Sequence, residues 1–250
     1  MIVVLTHDVD YSRRGPGLDH ILRRRERFEE WVVERVLREG FNPYFGVPRV
    51  VEVEEGFGVR STFFFRAFYD DGETVEGYAG VIRDLLGRGW SVGLHYNDPG
   101  RVGEEKAFME GVLGFRVEGT RGHFLRVADF SVLRELGVKF DSSVVYSRGG
   151  CDARNAGFFD AGGVVEFPVT FMDAYMFTYD GMSEERVTSF IVSCVEKLRE
   201  GGVKLATILW HDSSVYMRGG RVYPEVLRAL SRFELLDMAT AYRMVAGNEL

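Results

Sequence analysis

Short runs of β-branched and aromatic residues alternate with longer amphipathic runs along the whole chain. The short runs predict seven strands: Ile2–Thr6, Val59–Phe65, Ser91–His95, Arg116–Thr120, Lys139–Ser142, Val164–Pro168 and Leu205–Trp210. The longer runs predict helices: Leu18–Glu39, Val75–Arg88, Glu104–Leu113, Phe130–Leu136, Ser183–Glu200 and Pro224–Arg232. Strands that alternate with helices are typical of βα units around a parallel sheet.

About seven such units predict an α/β fold with a closed or nearly closed barrel; the competing architecture is a doubly wound open sheet. The Gly- and Pro-containing stretch 40–49 is typical of a loop rather than a linker between domains. No internal repeat or change of composition marks a boundary. We therefore expect a single domain over residues 1–250.

The composition, with 46% hydrophobic and 28% charged residues, is that of an ordinary globular protein. A net charge of −7 gives no reason to expect a nucleic-acid partner. The basic run Arg23–Arg25 is interleaved with Glu26 and Glu29, which favours a solvated helix face. No apolar run is long enough to predict a membrane span.

Cys151 and Cys194 lie far apart and show no metal-ligand spacing, so two free thiols are expected. The first residues already predict a strand rather than a secretion signal, and we expect a cytoplasmic protein. Gln is absent, and only 4 of the 31 Lys and Arg residues are Lys. Depletion of heat-labile amides favours a thermophilic source, although genome base composition would also produce the Arg bias.

The histidines are placed unusually: four of the five follow or end predicted strands, namely His7, His95, His123 and His211. Asp8 and Asp10 follow His7 at the end of the first strand. In parallel α/β folds the carboxyl ends of the strands meet on one face and carry the chemistry. Because four separate structural histidines would not need to share one edge of the sheet, the pattern predicts a functional site.

Asp oxygens and His nitrogens are ligands for zinc and similar divalent ions. A metal-activated water is a nucleophile near neutral pH, and a spare carboxylate and a spare imidazole can serve as general base and general acid. The sequence has no P-loop, no dinucleotide fingerprint and no G-x-S-x-G elbow. These observations together predict metal-assisted hydrolysis.

The ordered motifs "THDVD", "STFFF", "VGLHYND", "TRGHFLR", "FDSSVVY", "FPVTFMD" and "TILWHDSS" resemble the polysaccharide deacetylase family. This family is also called carbohydrate esterase family 4 or the NodB-homology domain, and the likeness is greatest to the branch whose first motif is H-D-V-D. The resemblance extends from Thr6 to about Tyr216. It implies a distorted (β/α)7-type, NodB-like barrel, a divalent metal that is usually zinc, and removal of acetyl groups from N-acetylated sugars.

The resemblance also implies roles for individual residues. Asp8 matches the catalytic base, Arg121 the arginine that braces it, and His211 the general acid. Asp10 and His95 match two of the metal ligands. Asp8 and Asp10 are two positions apart, so both can face the same side of the strand.

Two positions depart from the family pattern. Pro99 stands where the second metal-binding histidine is expected, and Asn97, Asp98 or His123 could supply the ligand instead. Val144 and Val145 stand where the family has an aspartate that orients the catalytic histidine; for that role Asp173 or Asp212 is available.

Other residues near the strand ends are supporting candidates: His7, Arg126 and Asp141. Three tyrosines, Tyr96, Tyr146 and Tyr216, lie within a few residues of these polar groups. Aromatic rings at such positions could stack on sugar rings, and the three are predicted to bind substrate.

The function hypothesis is therefore a metal-dependent carbohydrate deacetylase whose partner is a substrate with N-acetyl groups. The alternative is a metal-free or non-catalytic NodB-like barrel that binds glycans. The expected cytoplasmic location favours intracellular glycan precursors over extracellular polymers.

Overall fold

The computed structural model describes all 250 residues, Met1–Leu250, and is built around one curled sheet. Its strands are β1 Ile2–Val9, β2 Thr62–Phe65, β3 Ser91–Tyr96, β4 Gly119–Gly122, β5 Phe140–Asp141, β6 Phe159–Asp160, β7 Val165–Glu166, β8 Phe171–Met172, β9 Leu205–Leu209 and β10 Glu234–Asp237. They follow the order β6–β7–β5–β4–β3–β2–β1–β9–β8, and β10 pairs with β1. Every pair except β6–β7 is parallel. The predicted barrel-like α/β class is confirmed.

The α-helices are α1 Leu18–Leu22, α2 Glu30–Glu39, α3 Val47–Phe57, α4 Ala79–Gly87, α5 Val102–Leu113, α6 Phe130–Glu135, α7 Glu184–Glu200, α8 Tyr223–Leu230 and α9 Met238–Ala246. None of them combines the length and the apolar character needed to cross a membrane. The structure adds α3 and α9 to the predicted helices; α3 starts inside the stretch predicted to be a loop, with Pro48 in its first turn.

Strand β1 is buried on both faces, which explains its unbroken apolar start. Ile2 and Val4 point into the curl of the sheet and join the cluster around Phe64. Val3 and Leu5 belong to the larger core, which includes apolar residues of the surrounding helices. Successive side chains of a strand point to opposite faces, so this alternation decides where every polar residue at the end of β1 lies.

The segment from β7 to β8 connects the two ends of the curl. The Phe167 amide donates to the Asp141 carbonyl on one side at 2.9 Å, and the Thr170 amide donates to the Thr207 carbonyl on the other at 3.0 Å. Strands β6 and β8 have only two residues each and carry no pattern that a sequence could reveal.

The predicted single helix over Leu18–Glu39 is wrong, because the chain breaks between α1 and α2. Residues Arg25–Arg27 form a short 3-10 helix that buries no side chain. Phe28 then becomes extended, is only 1% exposed and forms an isolated bridge with Met217. The arginine-rich run is consequently not one face of a continuous helix.

The expectation of two free thiols is also wrong, because Cys151 and Cys194 form a disulfide. It links the loop after β5 to the middle of α7 across 43 positions of sequence. The two cysteines become neighbours only when α7 packs beside that loop. The disulfide removes one observation that had favoured a cytoplasmic protein, because such bonds persist mainly in oxidising compartments or in thermophiles.

Candidate active site

Asp8 and Asp10 leave β1 on the inner face of the sheet, whereas His7 lies on the outer face. Asp8 is 3% exposed and accepts a hydrogen bond from Arg121, and Asp10 lies beside His95. His7 instead contacts Glu54 of α3 at 2.9 Å. The strand alternation therefore separates His7 from the site, and its predicted supporting role there has no geometric basis.

Three potential metal ligands converge at the carboxyl ends of β1, β3 and β4. They are Asp10, His95 and His123, and their donor atoms all lie within 4.8 Å of one another. His95 Nε2 is 3.1 Å from Asp10 Oδ1 and 3.1 Å from His123 Nδ1, which is 3.4 Å from the same carboxylate oxygen. One carboxylate and two imidazoles form a donor set that suits zinc or a similar divalent ion.

The hydrogen bonding of His95 prepares its inner nitrogen for a cation. His95 Nδ1 lies 3.1 Å from the backbone carbonyl of Arg121, an atom that can only accept. The proton of the neutral ring therefore resides on Nδ1, and the lone pair of Nε2 faces Asp10 and His123. Burial would raise the pKa of Asp10, but the neighbouring imidazoles of His123, His95 and His211 hold it well below its ordinary value. The residues present thus fit a divalent cation.

The structure brings His123, and not Asp98, to the two matched ligands. Asp98 is exposed, and its carboxylate accepts from the Gly100 amide at 2.9 Å, which caps the turn that begins at Pro99. Asn97 is also occupied, because its side chain is hydrogen-bonded to Arg66 and to the Phe68 carbonyl. Of the proposed replacements, only His123 lies in the ligand cluster.

An unusual backbone holds His123 in place. Phe124 and Leu125 have φ values of +56° and +54°, in the left-handed region that non-glycine residues rarely adopt. The chain turns so tightly that a Cβ on Gly122 would meet the Arg126 carbonyl oxygen at 2.0 Å. Strained backbone of this kind persists when the surrounding structure over-determines it, and it is frequent at functional sites.

Asp8 is fixed by Arg121, which is completely buried. The guanidinium donates to Asp8 Oδ1 at 3.0 Å and to Thr6 Oγ1 at 2.9 Å, and it donates to the carbonyl and hydroxyl oxygens of Ser142 at 2.7 Å each. Four of its five N–H groups are thus paired, as a buried charge requires. Asp8 Oδ2 faces His95 Nε2 at 3.7 Å, so the carboxylate lies beside the ligand cluster.

His211 follows β9 and is oriented by Asp173. Its Nδ1 donates to Asp173 Oδ1 at 2.6 Å, while its Nε2 points toward Asp10 Oδ2 at 3.6 Å. Ser214 Oγ donates to the second oxygen of Asp173 at 2.5 Å. Burial alone would lower the pKa of His211, but the attraction and hydrogen bond of Asp173 raise it to about 10.

Asp212, the other candidate orienting group, forms no side-chain hydrogen bond with His211. Its Oδ2 accepts from the Gly46 amide at 3.0 Å, and its buried Oδ1 has no partner. Burial raises the pKa of Asp212 to about 8. Of the two alternatives, Asp173 is therefore the one whose geometry fits the orienting role.

The remaining supporting candidates lie outside the ligand cluster. Asp141 is buried one strand beyond Arg121, accepts from Thr120 Oγ1 at 2.6 Å, and lies opposite the buried Glu166 in the β5–β7 pairing. Burial raises the pKa of both carboxyls. The exposed Arg126 side chain lies over the Phe124 ring at 5.7 Å.

The three predicted sugar-binding tyrosines do not line the cavity beside the site. Tyr96 is fully buried and donates to the Arg126 carbonyl at 2.8 Å, because it follows His95 and faces the opposite side of β3. Tyr146 is half exposed beside Arg154. Tyr216 packs edge-on against Phe41.

Sequence reasoning missed Arg66, the first residue after β2. It is 4% exposed, donates to the Asp10 backbone carbonyl at 3.0 Å and to Asn97 Oδ1 at 2.5 Å, and pairs with Asp70 at 2.7 Å. Arg66 thus connects the ends of β1 and β3. Its position at the carboxyl end of a strand was the signal that could have identified it.

A cavity of about 780 Å³ opens beside these groups. Asp10, Asp173 and His211 line one part of its wall. This volume is within the range of small-molecule sites in proteins. Asp10, which belongs to the cluster of potential metal ligands, and the oriented imidazole of His211 therefore lie at the edge of a space large enough for a substrate. Asp8 lies behind them, beside His95.

Comparisons with known proteins find similarity at the level of structure. No protein-family model matches the sequence, and no curated protein matches it. A protein from Mycobacterium smegmatis, provisionally named a polysaccharide deacetylase, is 18% identical with a TM-score of 0.70, over 100% of this chain and 91% of that one. The peptidoglycan deacetylase PdaC from Bacillus subtilis is 15% identical with a TM-score of 0.53, over 99% and 93%.

A CE4-family pseudoenzyme from Bacillus anthracis has 10% identity and a TM-score of 0.55, over 96% of this chain and 65% of that one. Identities this low establish the fold rather than the activity. The chain has the NodB-like fold that active and inactive CE4 deacetylases share.

Proposed function

We propose that this protein is a metal-dependent hydrolase that removes acetyl groups from N-acetylated sugars. The observation that carries the proposal is the meeting of three functional groups at one edge of the sheet: the Asp10, His95 and His123 cluster, the Asp8–Arg121 pair and the Asp173–His211 pair. The shared fold with deacetylases supports the same reaction class.

Asp10, His95 and His123 would hold the ion. When bound, a divalent ion polarises a carbonyl oxygen and makes water a better nucleophile near neutral pH. The orientation of His95 supports this role, because its outer nitrogen is engaged by a carbonyl and its inner nitrogen is available.

Asp8 is the proposed general base. Arg121, itself held by the Thr6 and Ser142 hydroxyls, fixes the Asp8 carboxylate next to the ligand cluster. In that position it can take a proton from the water that attacks the acetyl carbonyl carbon.

His211 is the proposed general acid. An amine leaves poorly unless its nitrogen is protonated, and His211 Nε2 points into the site from the side opposite its bond to Asp173. Asp173 is a positioning residue, because it fixes the ring and keeps the proton on Nδ1.

The test is acetate release from a panel of N-acetylglucosamine oligomers and of nucleotide-linked and lipid-linked N-acetyl sugars, each with zinc, cobalt or nickel. Acetate release that Asp8→Asn abolishes would support the proposal and exclude a contaminating enzyme. No release from any substrate with any ion would favour the alternative of a non-catalytic glycan-binding barrel, a possibility that the pseudoenzyme of the same fold illustrates.

A further inference from the structure

The cavity beside the site is also lined by three arginines, Arg24, Arg27 and Arg218. They come from two segments that meet, because the Arg218 amide donates to the Arg27 carbonyl at 2.8 Å. Arg24 and Arg27 are one turn apart, with the Arg27 amide bonded to the Arg24 carbonyl at 2.9 Å. The break in the predicted first helix is what brings this basic group to the cavity.

These three guanidinium groups have no carboxylate partner. In the same wall, Arg221 is paired with Glu29 and with Glu184 at 2.5 and 2.6 Å. No ion pair involves the other three arginines, although Glu26 and Glu185 also line the cavity. Glu185 lies in the first turn of its own helix, α7. The arginines therefore retain their capacity to bind an anion.

Tyr44 supplies an independent observation. This residue lines the cavity, is only 2% exposed, and its buried hydroxyl has no hydrogen-bond partner. Burial raises the pKa of the Tyr44 hydroxyl to about 12, although the nearby charges of Arg24 and Arg27 lower it, so the hydroxyl keeps its proton. Leaving a buried hydroxyl unpaired is unfavourable, and an anionic oxygen bound beside it would accept its hydrogen bond.

We propose that the N-acetylated substrate carries a phosphate group, which Arg24, Arg27, Arg218 and the Tyr44 hydroxyl bind. This inference rests on the proposed deacetylase function and names its substrate class. Guanidinium groups bind phosphate oxygens through charge-assisted hydrogen bonds. A phosphate ester, with up to two negative charges and three acceptor oxygens, suits three unpaired arginines better than a single carboxylate does.

The first test measures binding separately from catalysis. Calorimetry with the isolated protein compares N-acetylglucosamine 1-phosphate with N-acetylglucosamine, and the phosphorylated sugar should bind at least about 10-fold more tightly. The double variant Arg24→Met and Arg218→Met should lose this preference. The matched control, Arg38→Met with Arg83→Met, removes two exposed arginines outside the cavity and should keep it. Equal affinity for the two sugars, or an unaltered preference in the Arg24 and Arg218 variant, overturns the inference.

The second test uses acetate release from neutral N-acetylglucosamine oligomers, from the 1-phosphate and from the nucleoside diphosphate sugar. A higher kcat/KM for either phosphorylated substrate supports the inference, and the better of the two identifies the source of the phosphate. Equal kcat/KM for neutral and phosphorylated substrates refutes the phosphate inference alone. Absence of acetate from all substrates refutes the proposed function, while the binding measurement still decides whether the arginines recognise phosphate.

Discussion

Each face of β1 carries a pair formed by a histidine and a carboxylate, and the two pairs differ in whether their polar atoms remain available for a ligand. On the outer face, His7 and Glu54 lie 2.9 Å apart, both with fully buried side chains. On the inner face, His95 and Asp10 lie 3.1 Å apart beside a cavity. By residue type and distance alone, the two pairs are alike.

We call the outer pair, His7 and Glu54, closed, because all of its polar atoms are hydrogen-bonded within the protein. Glu54 accepts hydrogen bonds from three other side chains at 2.6 to 2.9 Å: Ser61, Trp90 and Tyr223. The second nitrogen of His7 faces the Trp210 carbonyl at 2.6 Å. Every polar atom of the pair has a partner within the protein, so the pair has nothing left for a ligand and serves the fold.

We call the inner pair open, because its atoms remain available for a metal ion. His95 Nε2 and Asp10 Oδ1 lie close to His123 Nδ1, and these three potential ligand atoms face one another. The difference teaches that burial and a titratable pair do not by themselves identify a site. A candidate site is identified by ligand atoms that have no complete set of partners within the protein and that lie at the edge of a cavity.

The largest expected effect is that of His95→Ala on the open cluster. We expect bound divalent metal to fall from about one per chain to nearly none, with loss of activity, because one ligand of the cluster is removed. Metal content is measured on purified protein, and His20→Ala, outside the cluster, should keep its metal. Full metal content and rate in His95→Ala would show the ligand assignment to be wrong.

The second largest expected effect is that of His7→Ala, which removes one member of the closed pair. Removing one member of a buried pair should lower the free energy of unfolding by ~3–5 kcal/mol, measured by urea denaturation. The protein that remains folded should still bind metal, because His7 lies on the other face of β1. Loss of metal from fully folded His7→Ala would show that the closed pair also contributes to metal binding, which would contradict the comparison of the two pairs.

Asp8→Asn and His211→Ala sharpen the comparison within the open site. Each should lower kcat by ~10²-fold or more while metal content stays unchanged, as expected for a general base and a general acid. Single-turnover kinetics with metal analysis provide the measurement. If either variant retained the parent rate, that residue would lose its assigned role.

The smallest expected effect is that of a change at Asp212, which is intermediate between the two pairs. One of its carboxyl oxygens accepts a hydrogen bond, and the other, although buried, has no partner. Burial raises its pKa to about 8, so between about pH 4 and pH 8 the folded chain keeps a proton that the unfolded chain has lost. This contribution to stability is present at low pH and is lost as the pH rises through about 8. Asp212→Asn should therefore flatten the fall in Tm between pH 5 and pH 8; an unchanged pH profile would contradict the assignment.

The spacing of apolar residues was sufficient to predict the long helices and strands. The strand at the N-terminus and helix α7 lie where the alternation of apolar residues predicts them. The break before Phe28 was not predictable, because the local pattern continues as a helix while burial of that ring against a distant loop requires an extended backbone. The tertiary structure overrides the local preference for a helix when an extended backbone buries more apolar surface.

The positions of Asp8, Asp10, His95 and His211 at strand ends were evident in the sequence, because strand ends converge in parallel sheets. The sequence also left the third ligand and the orienting carboxylate open among several residues. Only the tertiary structure shows that His123 lies beside Asp10 and His95, and that Asp173 lies beside His211, since these contacts depend on a strained turn and on packing across the sheet. The tertiary structure also places His7 and Asp8 on opposite faces of β1 and joins Cys151 to Cys194. It brings Arg24, predicted on a solvated helix face, to the wall of the cavity. The physical reason is common to all of these: a sequence determines which groups are available, but which of them meet and which remain unpaired depends on contacts between residues far apart in the chain.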